Sequence, residues 1–125
     1  MTAVRGIRGA VRAEQNTREA ILNATRDLIL AMIEANRIES ENVASVFLTT
    51  TPDLNAEFPA YVVRQLGWSQ VPLLCASEID VPHAMSSLVR VLIHVNTDCR
   101  QDQIKHIYLG ETAKLRPDID QGEKS

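Results

Sequence analysis

Two arginines stand where apolar strand residues would be expected. Arg8 falls within Val4-Arg5-Gly6-Ile7-Arg8-Gly9-Ala10-Val11, and Arg90 within Leu88-Val89-Arg90-Val91-Leu92-Ile93-His94-Val95. A guanidinium cannot shed its charge and is costly to bury unpaired, so an arginine inside an apolar strand usually faces a carboxylate, a phosphate or an anionic ligand. The chain carries ten arginines against three lysines, and arginine suits planar, bidentate recognition of carboxylates. The expectation is a protein that binds a small anion.

Other chemistry is weakly represented. Cys75 has no histidine beside it in sequence, and a cysteine in an apolar strand is by default packing. His83, His94 and His106 lack the paired spacing of metal ligands. Gly6-Ile7-Arg8-Gly9 resembles a phosphate loop only superficially, because no Lys-Ser/Thr follows it. What remains is a polar set without an obvious acid, base or metal: Arg8, Arg64, Cys75, Glu78, Arg90, Tyr108 and Arg116. Arg64 and Arg116 are by default solvated charges and Tyr108 a strand aromatic, while Glu78 fits a structural counterion for Arg90 and a site residue about equally well. Arg8 and Arg90 are the stronger candidates because both sit in mid-strand.

The elements that position these residues follow from periodicity. Val4 to Val11 reads as a strand with Gly6, Arg8 and Ala10 on one face, small neighbours leaving room for the long Arg8 side chain. Asn16 followed by Glu19 resembles a capping box, and Ile21, Leu22, Thr25, Leu28, Ile29, Met32, Ile33 and Asn36 form a helical stripe that predicts a helix from about Thr17 to Asn36. Val43 to Thr50 is strand-like, Thr51-Pro52-Asp53-Leu54 is a turn, and a short helix begins near Pro59 and stops at Gly67. Val71 to Cys75, Leu88 to Val95 and Ile104 to Leu109 are further apolar runs, the last broken by Gly110. The tail from Pro117 is polar and reads as mobile.

This alternation in 125 residues predicts one α/β (α+β) domain spanning 1–125, a mixed sheet with helices on one face. Open sheet edges and strand arginines favour completion by self-association. A net charge of −3 and only 4% aromatic residues argue against nucleic acid, which wants a basic face and stacking aromatics. Cys75 and Cys99 show no Cys-x-x-Cys spacing, the first residues lack a secretory pattern, and no apolar run approaches the ~18 residues of a membrane span. The expectation is a reduced, soluble, cytoplasmic protein without membrane partners.

Taken in order, the pieces resemble a known family. They are Arg5-Gly6-Ile7-Arg8-Gly9-Ala10, Thr51-Pro52-Asp53-Leu54, Phe58-Pro59-Ala60, Val63-Arg64, Cys75 with Glu78 and Asp80, Arg90-Val91, Gln101-Asp102-Gln103-Ile104, His106-Ile107-Tyr108-Leu109 and Leu115-Arg116-Pro117-Asp118. Together they are similar to the monofunctional, AroH-type bacterial chorismate mutases, from about residue 4 to residue 119. The resemblance implies a pseudo-α/β-barrel homotrimer with active sites between subunits. It also implies rearrangement of chorismate to prephenate on the route to phenylalanine and tyrosine. That reaction is unimolecular and pericyclic, so the resemblance implies no metal and no cofactor; the protein holds a flexible dianion in a reactive conformer and stabilises transition-state charge.

By the same resemblance, Arg90 donates to the ether oxygen. Arg8 and Tyr108 bind carboxylate or enolpyruvyl oxygens, and Glu78 with the Cys75 region meets the ring hydroxyl and orients Arg90. Phe58, Ala60, Arg64 and Leu74 are cleft wall, and Leu115 with Arg116 belongs to a C-terminal cover. Leu74 stands where the family is expected to carry a small hydroxyl residue, and Tyr61 where a lysine is often found, which makes the wall more apolar. The segment between Arg64 and Trp68 looks one residue shorter than in some relatives. Two other readings fit the same inventory: a trimeric imine deaminase with an interfacial arginine, and a non-catalytic sensor of an anionic metabolite.

Overall fold

Among the described residues, five strands form one mixed sheet. The computed structural model describes residues 2–115. In chain order the elements are β1 (Ala3–Arg12), α1 (Arg18–Asn36), β2 (Val43–Thr50), α2 (Tyr61–Gln65), β3 (Leu73–Ser77), β4 (Leu88–Thr97) and β5 (Ile107–Tyr108), with a 3-10 turn at Gly110–Leu115. Central β4 runs antiparallel to both β1 and β2, while the edge strands β3 and β5 run parallel to β2 and β1.

The alternation of each strand decides the two faces. Val46 and Leu48 of β2, Ile7 of β1 and Val89, Val91, Ile93 and Val95 of β4 are buried on the helical side. They pack with Ile21, Leu22, Leu28, Ile29 and Met32 of α1 in one core. Each such aliphatic is worth roughly 2 kcal/mol when buried, against tenths for helix propensity, so this stripe fixes α1 to the sheet. At Gly9 the approach is closest: a β-carbon there would lie 2.6 Å from the Met32 sulfur and 2.9 Å from Leu28 Cδ1.

Two expectations shift locally. The N-cap of α1 is Thr17, whose hydroxyl accepts from the Ala20 N–H at 3.1 Å. Asn16 is engaged elsewhere, its carbonyl oxygen accepting from the Asn55 and Ala56 N–H groups at 3.0 Å each. The last apolar run pairs only over Ile107–Tyr108. Its approach is fixed by Asn36, whose amide exchanges two hydrogen bonds with the Lys105 backbone, each 2.9 Å. Gly67, at φ +85°, follows the short α2 as expected of a left-handed stop. Among the described residues no helix is long and apolar enough to cross a membrane.

Candidate active site

The sheet face away from α1 carries the mid-strand arginines. Register aligns Ala76, Thr49, Arg90, Ala10 and Tyr108 in one row across all five strands. Arg8 lies in the next row beside Leu92. Since paired residues share a face, Arg8, Arg90 and Tyr108 project to the same side, with the small, fully buried Ala10 between Arg90 and Tyr108. Arg8 also helps hold the edge strand, its backbone N–H donating to His106 Nδ1 at 2.9 Å.

Glu78 follows β3 and is tied to the sheet by its own N–H, which donates to the Thr50 carbonyl at 2.8 Å. Its carboxylate turns to Arg90, with Nε 3.0 Å from one oxygen and 3.2 Å from the other. Thr49 donates its hydroxyl to Glu78 at 2.6 Å. The Glu78 side chain is 17% exposed and that of Arg90 44% exposed. The carboxylate is therefore the sheltered partner, and the guanidinium reaches solvent. The pair uses the Nε edge, and the remaining guanidinium N–H donors are the ones an anionic or ether oxygen can take.

A second group lies at the β3 edge. Phe58, Ala60, Tyr61, Arg64, Leu73 and Cys75 line a cleft of about 270 Å³. A neighbouring hollow of about 360 Å³ shares Phe58 and Cys75 and extends to Ser77. Asn16 braces this wall through its bonds to Asn55 and Ala56. The Arg64 guanidinium sits 5.8 Å from the Tyr61 ring centroid, so the tyrosine supports the arginine by cation–π contact. Burial pushes the Cys75 thiol up, with a smaller opposing effect from the Ala60 backbone; the group is a neutral donor at neutral pH rather than a thiolate nucleophile.

Among the described residues, then, the sequence candidates divide. Arg8, Glu78, Arg90 and Tyr108 belong to the open face; Phe58, Ala60, Arg64 and Cys75 line the cleft, which none of the first four lines. Leu74 is on neither side of that cleft: it pairs with Phe47 on the open face and is 58% exposed. Leu115 ends the 3-10 turn, which Thr112 anchors by donating to the Ala10 and Leu109 carbonyls at 3.0 and 2.7 Å. Arg116 and the tail from Pro117 lie outside the described residues. No three His, Cys, Asp or Glu side chains cluster as metal ligands among the described residues.

Three supporting residues are not among the site candidates above: Thr49, Asn36 and Asp53. Asp53 accepts from the Ser87 N–H and hydroxyl at 3.0 Å each, holding Ser87 at φ 61° just before β4. Desolvation opposes ionisation of Asp53, but hydrogen bonds from Thr51 and Ser87 outweigh it and hold the carboxyl below its usual range.

Comparisons with known proteins bear on this arrangement. Residues 4–119 match the family model Chorismate mutase type I. A Thermus thermophilus protein, Chorismate mutase AroH, is 50% identical over 121 residues, covering 96% of this chain and 99% of that protein. Its Bacillus subtilis (strain 168) namesake is 46% identical over 117 residues, covering 93% and 92%. A solved chorismate mutase from Clostridium thermocellum superposes with a TM-score of 0.86 at 41% identity, covering 88% of this chain and 98% of that one.

Proposed function

The chain belongs to the type I chorismate mutase family, and from that premise we propose how its residues carry out the reaction. It is an enzyme that converts chorismate to prephenate. One C–O bond breaks and one C–C bond forms within a single molecule, so no group is transferred to or from the protein. The protein's contribution is geometry and charge.

Arg90 donates to the ether oxygen, which gains negative charge as the C–O bond breaks. A preorganised donor of this kind contributes roughly 3 kcal/mol to lowering the barrier. Glu78 holds the Nε edge of Arg90 and, with Cys75 as a neutral donor, meets the ring hydroxyl. Arg8 and Tyr108 bind carboxylate or enolpyruvyl oxygens. Phe58, Ala60 and Arg64 form the opposite wall, Leu74 adds an apolar side chain to the open face beside Phe47, and Leu115 covers the bound dianion.

The single observation that carries this reading is the Arg90–Glu78 pair in register with Tyr108 on one sheet face. The two groups of candidates also support assembly. A complete site forms when the β3-edge cleft of one subunit meets the open face of the next, in a homotrimer with a site at each interface. Phe47 and Leu74 are 41% and 58% exposed in adjacent positions of that face, an apolar patch suited to burial against another subunit. No observation favours the imine deaminase or the sensor. The direct test follows chorismate loss optically and identifies prephenate by its acid conversion to phenylpyruvate. Saturable turnover that disappears in Arg90→Ala supports the assignment, and tight chorismate binding without turnover overturns it.

A further inference from the structure

We propose that Thr49 is a positioning residue for the rearrangement, acting on Arg90 through Glu78. The inference rests on the role given to Arg90 above. The Thr49 hydroxyl and the Arg90 Nε approach the same carboxylate oxygen, at 2.6 and 3.0 Å. They come from neighbouring strands on which Thr49 and Arg90 are directly paired. Glutamate and arginine are both long, rotatable side chains, so an ion pair between them alone fixes neither relative to the sheet. Threonine is short and stiff at χ1, and β2 is a paired interior strand. Its hydroxyl therefore references the carboxylate to the backbone, and the carboxylate in turn references the guanidinium. The carboxylate's low exposure of 17% makes the hydroxyl a replacement for water that is mostly excluded.

An ordinary exposed strand threonine would leave chemistry untouched, and a merely structural one would lower stability alone. A positioning residue acts on kcat and only while its intermediary is present. The experiment measures kcat, KM and thermal midpoint on chorismate for the full chain, Thr49→Val, Thr49→Ser, Glu78→Ala and the Thr49→Val/Glu78→Ala double variant. Thr49→Ala repeats the series with a smaller side chain in case valine disturbs the strand. Thr49→Val is expected to lose roughly tenfold in kcat, the size of one hydrogen bond to a charged group, with KM moving less than kcat. Thr49→Ser is expected to keep at least about half of kcat because it retains the donor, and the double variant to be no slower than Glu78→Ala.

Equal losses from Thr49→Val in both backgrounds, or a serine variant as slow as the valine one, overturn the inference. A wild-type chain that leaves chorismate unchanged overturns instead the functional reading on which it stands. Wild-type turnover with an unaltered kcat in Thr49→Val and Thr49→Ala removes only the role of Thr49.

Discussion

Arg90 Nε lies 3.0 Å from one carboxylate oxygen of Glu78 and 3.2 Å from the other, so the guanidinium is held by its Nε edge. A cation fixed in this way is preorganised: its other donors keep their direction whether or not a ligand is present, and little reorganisation accompanies the reaction. The fork shape matters as much as the charge.

Arg90→Lys is therefore expected to fail although it keeps the positive charge. An ammonium on a flexible stem cannot pair with Glu78 along one edge and present a planar donor set along another. The expected loss in kcat is about a hundredfold or more, with a thermal midpoint close to wild type because Arg90 is a half-exposed residue outside the core. Steady-state kinetics on the purified variant decide the matter. Near-normal kcat would remove the proposed role.

Asp53 offers a separate handle on the segment leading into β4. Its carboxyl is held below its usual value of 3.8, desolvation being outweighed by hydrogen bonds from Thr51 and Ser87. A carboxyl whose folded-state pKa is depressed contributes stability above its unfolded pKa and loses it as pH falls through the folded value. Because the carboxyl is mostly exposed and its interactions are screened by solvent, Asp53→Asn is expected to melt only about 1–2 °C below wild type near pH 7. The gap should close as the medium is taken well below pH 3.8. Melting curves across that range check this, and a gap that stays constant with pH contradicts the account.

The legible parts of the molecule are those set by apolar periodicity. The strand expected at Val4 to Val11 is Ala3–Arg12, that at Val43 to Thr50 is unchanged, and that at Leu88 to Val95 is Leu88–Thr97. The shared face of Gly6, Arg8 and Ala10 was also readable, because alternation needs no knowledge of partners. Choices between chemically similar neighbours were not. Asn16 and Thr17 are both good caps, and only the distant Asn55–Ala56 backbone decides that Asn16 serves elsewhere. Thr49 became visible only through its register with Arg90, a long-range pairing that local sequence does not encode. The division of the candidates between an open face and a cleft depends likewise on strand order.

Gly9 predicts a cost in stability. An added methyl group would meet the Met32 sulfur at 2.6 Å, Leu28 Cδ1 at 2.9 Å and the Ile107 carbonyl oxygen at 3.1 Å. The first two contacts are ends of flexible side chains, but both are in the core under α1, and the third is backbone of the edge strand. Gly9→Ala is expected to destabilise the protein by roughly 1–3 kcal/mol through overpacking. Chemical denaturation gives the number. An unchanged midpoint would mean that α1 and β5 yield more easily than their packing suggests.

The division between open face and cleft yields the test of assembly. Arg90→Ala disables an open face and leaves its own cleft intact, while Arg64→Ala disables a cleft and leaves its own open face intact. Arg64 is exposed on the short α2, so its truncation is not expected to unfold the chain. If each site is built from the open face of one subunit and the cleft of the next, co-refolding equal amounts of the two inactive variants regenerates intact interfaces. Random assembly in a closed ring makes about one interface in four wild type on both sides, and the mixture should recover about a quarter of wild-type activity. The variants refolded separately and then mixed without exchange should recover none. Activity of the co-refolded sample no higher than the mean of its parents would mean that each site is completed within one chain, and sedimentation of the same samples would show whether a trimer forms at all.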